Sequence, residues 1–271
     1  MMKRMFYILF CYTIVIFFSC NNNEEQSSAS STNKIQSAEK LKKDIQKFSD
    51  SLLLLEKLIQ YYRDNGAYDS ALTVTDNTIK RVPEVAGLWD IKATLHFENG
   101  DTINAIRSFE KAIDIAPLPE YIMSLATIYA ETKNPKALML ADALLYADKA
   151  KASKQAIFIK GLYYNYTGDK KKAIALFDSC IRLDYTYMFA YREKAIALYD
   201  EGKYEDAVAV LTKAVTVQNN FDEGYYWLGN CYKKLNKKEE AIQSYHTALM
   251  YDKDFIEARD SLKTLEGNNS Q

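Results

Sequence analysis

The stretch AGLWDIKATLHFENGDTINAIRSFEKAIDIAP, Ala86 to Pro117, sets its small and large residues on a fixed ruler. With Ala86 at place one, Trp89 stands at place four, Ala93 at eight, Gly100 at fifteen, Ala105 at twenty, Phe109 at twenty-four, Ala112 at twenty-seven and Pro117 at thirty-two. Moved in steps of 34, the ruler meets Tyr62, Gly66, Ala71 and Pro83 counted from Leu52, and Gly161, Tyr164, Gly168, Ala173 and Phe177 from Lys154. From Met188 it meets Tyr191, Ala195, Gly202, Ala207, Leu211 and Ala214; from Asp222, Tyr225, Leu228, Gly229, Tyr232, Ala241, Tyr245 and Ala248. A period of this length marks a repeat architecture. Each unit reads as two antiparallel helices. Small residues at places eight, twenty and twenty-seven let the backbones approach, and large ones at four, eleven and twenty-four fill the gaps. Glycine at place fifteen suits a positive φ after the first helix.

AIRSFEKAIDIAP (Ala105–Pro117) and YWLGNCY (Tyr226–Tyr232) resemble the tetratricopeptide repeat family. The resemblance covers residues 52–255 and implies an all-α, right-handed superhelix of six helix pairs: 52–85, 86–119, 120–153, 154–187, 188–221 and 222–255. The third unit is degenerate. Its first helix fits one residue early, with Leu125, Ala126 and Tyr129 in the key places, and its second fits if Ala143, Ala147 and Ala150 take places twenty, twenty-four and twenty-seven. Asn134 and Pro135 then sit in a longer turn or start the second helix early, since proline is tolerated in a first turn and not in a helix interior. Ile256, Ala258, Leu262 and Leu265 form a capping helix over 256–266, needed to cover a terminal apolar face, and 267–271 is a frayed tail.

At the other end, Lys3 and Arg4 precede an apolar run from Met5 to Phe18, followed by Ser19 and Cys20. This is the layout of a secretory signal, and the run is short of the roughly 20 apolar residues of a membrane span. Phe17-Phe18-Ser19-Cys20 resembles a bacterial lipoprotein processing box, with phenylalanines where leucine and a smaller residue are usual. It implies a signal peptide over 1–19 and an acylated Cys20; the alternative is an uncleaved N-terminal anchor. Residues 20–37 read as a disordered tether, too polar to bury themselves. Asn21-Asn22-Asn23-Glu24-Glu25 is similar to the acidic segment of surface-exported Bacteroidetes lipoproteins, and equally to a plain spacer. Over 38–51, Leu41, Ile45 and Phe48 begin an apolar stripe that continues through Leu52, Leu55, Ile59 and Tyr62. Either one helix runs through or it breaks at Ser49-Asp50-Ser51, three good N-cap residues.

Removing Lys3 and Arg4 leaves 33 basic and 36 acidic side chains, a net charge of −3, which gives no electrostatic case for nucleic acid. The lysine runs at 170–172 and 233–238 read as solvated faces or as contacts for an acidic partner. Cys180 and Cys231 lie two repeats apart, beyond the roughly 7 Å limit of a bridge, and read as small packing residues. The two histidines, His96 and His246, make no metal-ligand spacing. Phosphate-loop, dinucleotide and nucleophile-elbow patterns are missing, so the sequence predicts no enzyme, no metal, no cofactor and no small-molecule substrate.

In the resembled family the first helices line a concave face. Its places project here onto Asp90, Thr94 and Phe97; Phe158, Leu162, Asn165 and Tyr166; Phe189, Arg192, Ile196 and Tyr199; and Glu223, Tyr226, Trp227 and Asn230. Phe97, Phe158, Tyr166, Phe189, Arg192, Tyr199, Tyr226, Trp227 and Asn230 are the candidate partner-binding residues, because aromatic rings suit the apolar anchors of a peptide. The carboxylate clamp of chaperone-tail receptors is missing: its places hold Glu56 and Gln60, Asp90 and Thr94, Phe158 and Leu162. The expectation is a non-enzymatic, outer-membrane lipoprotein that binds a peptide segment of a protein partner during envelope complex assembly. A structural or self-associating envelope protein, using the N-terminal helix or the solenoid ends, is the other reading.

Overall fold

The structure is a computed structural model that describes residues 39–49, 51–147 and 149–267. Among these residues there are fourteen helices and no strand. Helix α1 covers 39–47. Thereafter come α2 (Leu52–Asp64), α3 (Tyr68–Arg81), α4 (Ala86–Glu98), α5 (Thr102–Ile115), α6 (Pro119–Glu131), α7 (Lys136–Ala147) and α8 (Lys149–Thr167). The chain ends with α9 (Lys170–Leu183), α10 (Met188–Asp200), α11 (Tyr204–Val217), α12 (Asp222–Lys234), α13 (Lys238–Tyr251) and α14 (Ile256–Gly267). The signal segment, Cys20 and the tether lie outside the described residues. None of the described helices is long and apolar enough to cross a membrane.

The turn between the helices of each pair holds one left-handed residue: Gly66, Gly100, Lys133, Gly168, Gly202 or Asn236. In five of the six, the next N–H reaches the carbonyl five residues back, as in Asp101 N to His96 O at 2.8 Å and Asn134 N to Tyr129 O at 2.7 Å. This is the bond that satisfies the open carbonyls of a helix end. Where an aspartate precedes the second helix, its carboxylate caps it: Asp101 accepts from Asn104 N at 3.0 Å and Asp169 from Lys172 N at 3.1 Å. Ser51 likewise caps α2, accepting from Leu54 N at 3.4 Å, so the N-terminal stripe breaks there and does not run through.

The chain divides into two compact units at Leu125/Ala126. In the first, Ile59, Ala71 and Leu95 make a buried cluster covered by Tyr62, Tyr68, Leu72, Val74 and Ile91. Buried Arg63 and Glu98 join α2 to α4, with Arg63 Nε 2.8 Å from Glu98 Oε2. In the second, Ala195, Leu198, Ala207, Leu211, Trp227, Leu228 and Cys231 form one core cluster. Helix α14 closes the last pair: Leu262 joins Ala241 and Tyr245, and Ala258 joins Ala248 and Phe255. Cys180 and Cys231 are buried free thiols, each pushed up to about 12 by burial.

The degenerate repeat departs from expectation in its second helix. Among the described side chains of α7, Ala137, Ala141 and Leu144 are buried while Ala143 is exposed; those of Ala147 and Ala150 lie outside the description. The helix starts at place seventeen, as in the other repeats, but its buried residues fall two places early. Asn134 Oδ1 accepts from Lys136 N at 3.0 Å and Pro135 opens the first turn, where its missing N–H leaves nothing unsatisfied. The recovered length goes into α8, which begins at Lys149 and has 19 residues against 13 in α10 and α12.

Candidate functional site

Within residues 126–267 the first helices α8, α10 and α12 present the projected face in two layers. Phe158, Leu162, Asn165, Arg192, Glu223 and Trp227 are buried. Tyr166, Phe189, Ile196, Tyr199, Tyr226 and Asn230 are half-buried. Phe158 packs on Phe177, Tyr187 and Phe189, at centroid distances of 5.8, 5.3 and 6.4 Å. Trp227 lies edge-on between Tyr199 at 5.5 Å and Tyr226 at 5.7 Å. Phe158 and Trp227 are thus the backing of the face, and Phe189, Tyr199 and Tyr226 are the rings it offers. Tyr226 is braced by Phe255 at 4.9 Å and Tyr245 at 5.9 Å. Asn230 accepts from the buried Tyr245 hydroxyl at 2.8 Å, which fixes its amide and leaves its amino group for other bonds. Rings held this way lose little freedom on binding.

A charged layer runs beside the rings. Arg192 donates from Nη1 to Glu223 Oε2 at 2.5 Å and from Nε to Glu193 Oε1 at 3.0 Å, with all three side chains buried. Its guanidinium also sits 5.3 Å from the Phe189 ring. Burial opposes the Arg192 charge, and Glu223 and Glu193 more than restore it, so the group stays protonated above its ordinary range. Glu131, at the end of α6, is buried, and neither carboxylate oxygen has a hydrogen-bond partner. Burial first, then the Glu193 carboxylate, push its carboxyl up to about 8 against the pull of Arg192. Burial likewise raises Glu193.

Glu131 and Glu193 are site residues that the sequence projection passed over. Glu193 occupies place six of its repeat, a face position. Glu131 takes place thirteen once the third repeat is counted one residue early, so the shifted frame was the signal for it.

In the first unit, residues up to Leu125, the corresponding places are filled differently. Phe97 and Asp90 are buried, and Thr94 Oγ1 is buried without a partner. Phe97 is therefore part of the packing of α4 and presents no ring. Burial, then Glu120, raise Asp90 to about 7. His96 is mostly buried with Nδ1 3.4 Å from Asp101 Oδ2, and burial lowers its value.

Sequence models described as "TPR repeat" and "Tetratricopeptide repeat" match residues 195–236, 223–255, 56–118 and 154–187. Human Superkiller complex protein 3 is 25% identical over 233 residues, which is 81% of this chain and 15% of that protein. Rat tetratricopeptide repeat protein 17 is 28% identical over 112 residues, 39% of this chain and 9% of that protein. The chain thus spans a small fraction of the curated relatives it matches. Among solved structures, a tetratricopeptide repeat protein from Parabacteroides merdae aligns with a TM-score of 0.70 at 18% identity, covering 88% of this chain and 94% of that one. PilW, a type IV pilus biogenesis factor, aligns at 0.57 and 17%, covering 77% and 97%.

Proposed function

Because the chain is a tetratricopeptide repeat protein of the all-α solenoid class, a fold that serves as a protein interaction scaffold, we propose that it is a non-catalytic adaptor. The first-helix face of residues 126–267 holds a peptide segment of a protein partner, and an acylated Cys20 tethers the adaptor to an outer membrane, where it serves envelope complex assembly. The observation that carries the reading is the pair of layers: Phe189, Tyr199 and Tyr226 half-exposed on a buried backing of Phe158 and Trp227. Such preformed apolar anchors beside satisfied polar groups are the makings of an interaction hot spot. The tether supplies effective concentration, so a modest groove affinity is enough at the membrane surface.

Site-specific photocrosslinking in cells tests this. A photoreactive residue replacing Tyr226 captures one envelope protein, and the same residue at buried Phe109 captures none. Equal capture from both positions, or only self-capture from 226, refutes it. Cys20→Ser leaves the protein out of the membrane fraction; unchanged fractionation removes the tether. The exposure of Phe48 beside α1 favours self-association as the second reading. That reading predicts concentration-dependent oligomers in light scattering that vanish when residues 34–51 are deleted.

A further inference from the structure

Among the described residues of its neighbourhood, Glu131 is the carboxylate left without a hydrogen-bond partner. Glu223 and Glu193 share Arg192, and Asp200 takes Lys170 Nζ at 2.6 Å, the same ammonium that donates to Asn165 Oδ1 at 2.7 Å. Four carboxylates, Glu131, Glu193, Glu223 and Asp200, thus face two cations, Arg192 and Lys170. The groups acting on Glu131 are Tyr166 from α8 and Arg192 and Glu193 from α10, with Glu223 of α12 behind Arg192 and Lys170 of α9 reaching Glu193. None of them donates a hydrogen bond to it, although the side chain is 9% exposed and both oxygens are buried. Buried polar groups of native proteins are almost always paired, and an orphaned carboxylate next to surplus negative charge calls for a cation from outside the chain.

On the premise that the face takes a peptide segment, we propose that Glu131 is the seat for a basic side chain, Lys or Arg, of that segment. An ammonium or guanidinium brings the donors that the Glu131 oxygens lack. Its aliphatic stem packs on apolar surface while its charged head reaches the carboxylate, and the half-exposed Tyr166 and Phe189 rings offer that surface. An acidic side chain meets repulsion at the same place. In the free protein, burial and Glu193 keep Glu131 protonated until about pH 8. Seating the cation therefore releases one proton: the neutral acid and the incoming ammonium become an ion pair, and the carboxyl proton goes to solvent. A lysine stays charged over this range, so capture strengthens as pH rises to about 8 and levels above it.

The test uses the purified chain and an array of heptapeptides with randomised flanks and a central Lys, Arg, norleucine or Glu, read at pH 6 and pH 8.5. Lys and Arg pools are retained about tenfold over norleucine at pH 8.5, less so at pH 6, and Glu131→Gln, which keeps the shape of the neutral acid, abolishes the preference. Equal retention of the norleucine pool, or undiminished Lys retention by Glu131→Gln, overturns the proposal. In that event, retention lost in Tyr226→Ala keeps the peptide-binding reading, whereas no retention of any pool removes both. A Glu131 carboxyl that titrates below its ordinary 4.5 in carbon-detected NMR also overturns it, because the group would then be paired with the spare Nη2 of Arg192.

Discussion

Gly229 offers the sharpest test of how the repeats are packed. It sits at place eight of α12, and a Cβ there would stand 2.5 Å from Cε1, 2.7 Å from Cδ1 and 2.9 Å from Cζ of Tyr245. That ring is fully buried, pinned by its hydroxyl to Asn230 at 2.8 Å and flanked by Tyr226. Alanine in a helix interior is favoured over glycine by about 1 kcal/mol. Overpacking a close-packed interior costs about 1–3 kcal/mol, so Gly229→Ala is expected to destabilise by about 1 kcal/mol net. Gly87 is the control, since its added Cβ meets only the Tyr121 hydroxyl at 3.8 Å; Gly87→Ala is expected to be neutral or to stabilise by up to about 1 kcal/mol. The repeat before supplies the rescue: it pairs Ala195 with Leu211 at the same two places, both buried. Gly229→Ala with Tyr245→Leu copies that pair, and urea unfolding of the four proteins in the cycle is expected to give a favourable coupling of about 1 kcal/mol or more. Gly229→Ala that stabilises, or a coupling near zero, refutes the claim that the ring dictates the glycine. The change also reaches the binding face, because moving the Tyr245 hydroxyl releases Asn230.

Three further outcomes are expected. Lys133 holds φ 59 where four repeats have glycine, a conformation that costs an ordinary side chain about 1–2 kcal/mol. Lys133→Gly therefore raises the thermal midpoint, and Asn236→Gly, at the same φ, changes it little because asparagine tolerates the region. Glu131 keeps its proton to about pH 8 in the folded chain and loses it near 4.5 when unfolded. Stability is thus lost as pH rises between those values, at up to about 1.4 kcal/mol per unit. In denaturant titrations the advantage of Glu131→Gln over the native chain grows from pH 5 to 8 and then levels, and a pH-independent difference contradicts it. Arg192→Met strands Glu193 and Glu223 in the interior and costs about 3–5 kcal/mol, most of it recovered by adding Glu193→Gln and Glu223→Gln, as calorimetry will read.

The helix pairs were legible because one residue type at one place has one physical job. Alanine at place twenty has no room to be larger, and glycine at place fifteen takes the left-handed turn. The phase of the third repeat was not legible for the same reason. Its second helix holds alanines at 137, 141, 143 and 147, so several registers put small residues in the tight places, and only the cap at Asn134 and Pro135 decides between them. Among the face residues, the pattern located Tyr226 and Tyr199 but could not say that Phe97, Phe158 and Trp227 turn inward. A ring at a face position is exposed or buried according to the neighbouring helix, which the spacing within one repeat does not describe. The charged layer was hidden likewise. Glu193 stands at a face position and Glu131 at one in the shifted frame, but the spacing does not say that Arg192, Glu223 and Tyr166 close around them.

The left-handed residues also keep time along the chain. From Gly66 to Gly100 is 34 residues, then 33 to Lys133, 35 to Gly168, and 34 again to Gly202 and to Asn236. One residue dropped before the third turn is returned before the fourth, like a frameshift and its suppressor a short way downstream. The two irregularities make sense only as a pair. A graft that replaces residues 120–153 with a regular 34-residue unit mends both at once, because its turn falls at 134 and Gly168 and the later turns keep their places. An exchange cut at the turns instead, Gly100 to Lys133, mends the first defect and keeps the second, so every later repeat arrives one residue late; a portable cassette is cut between repeats or runs across both defects, Gly100 to Gly168.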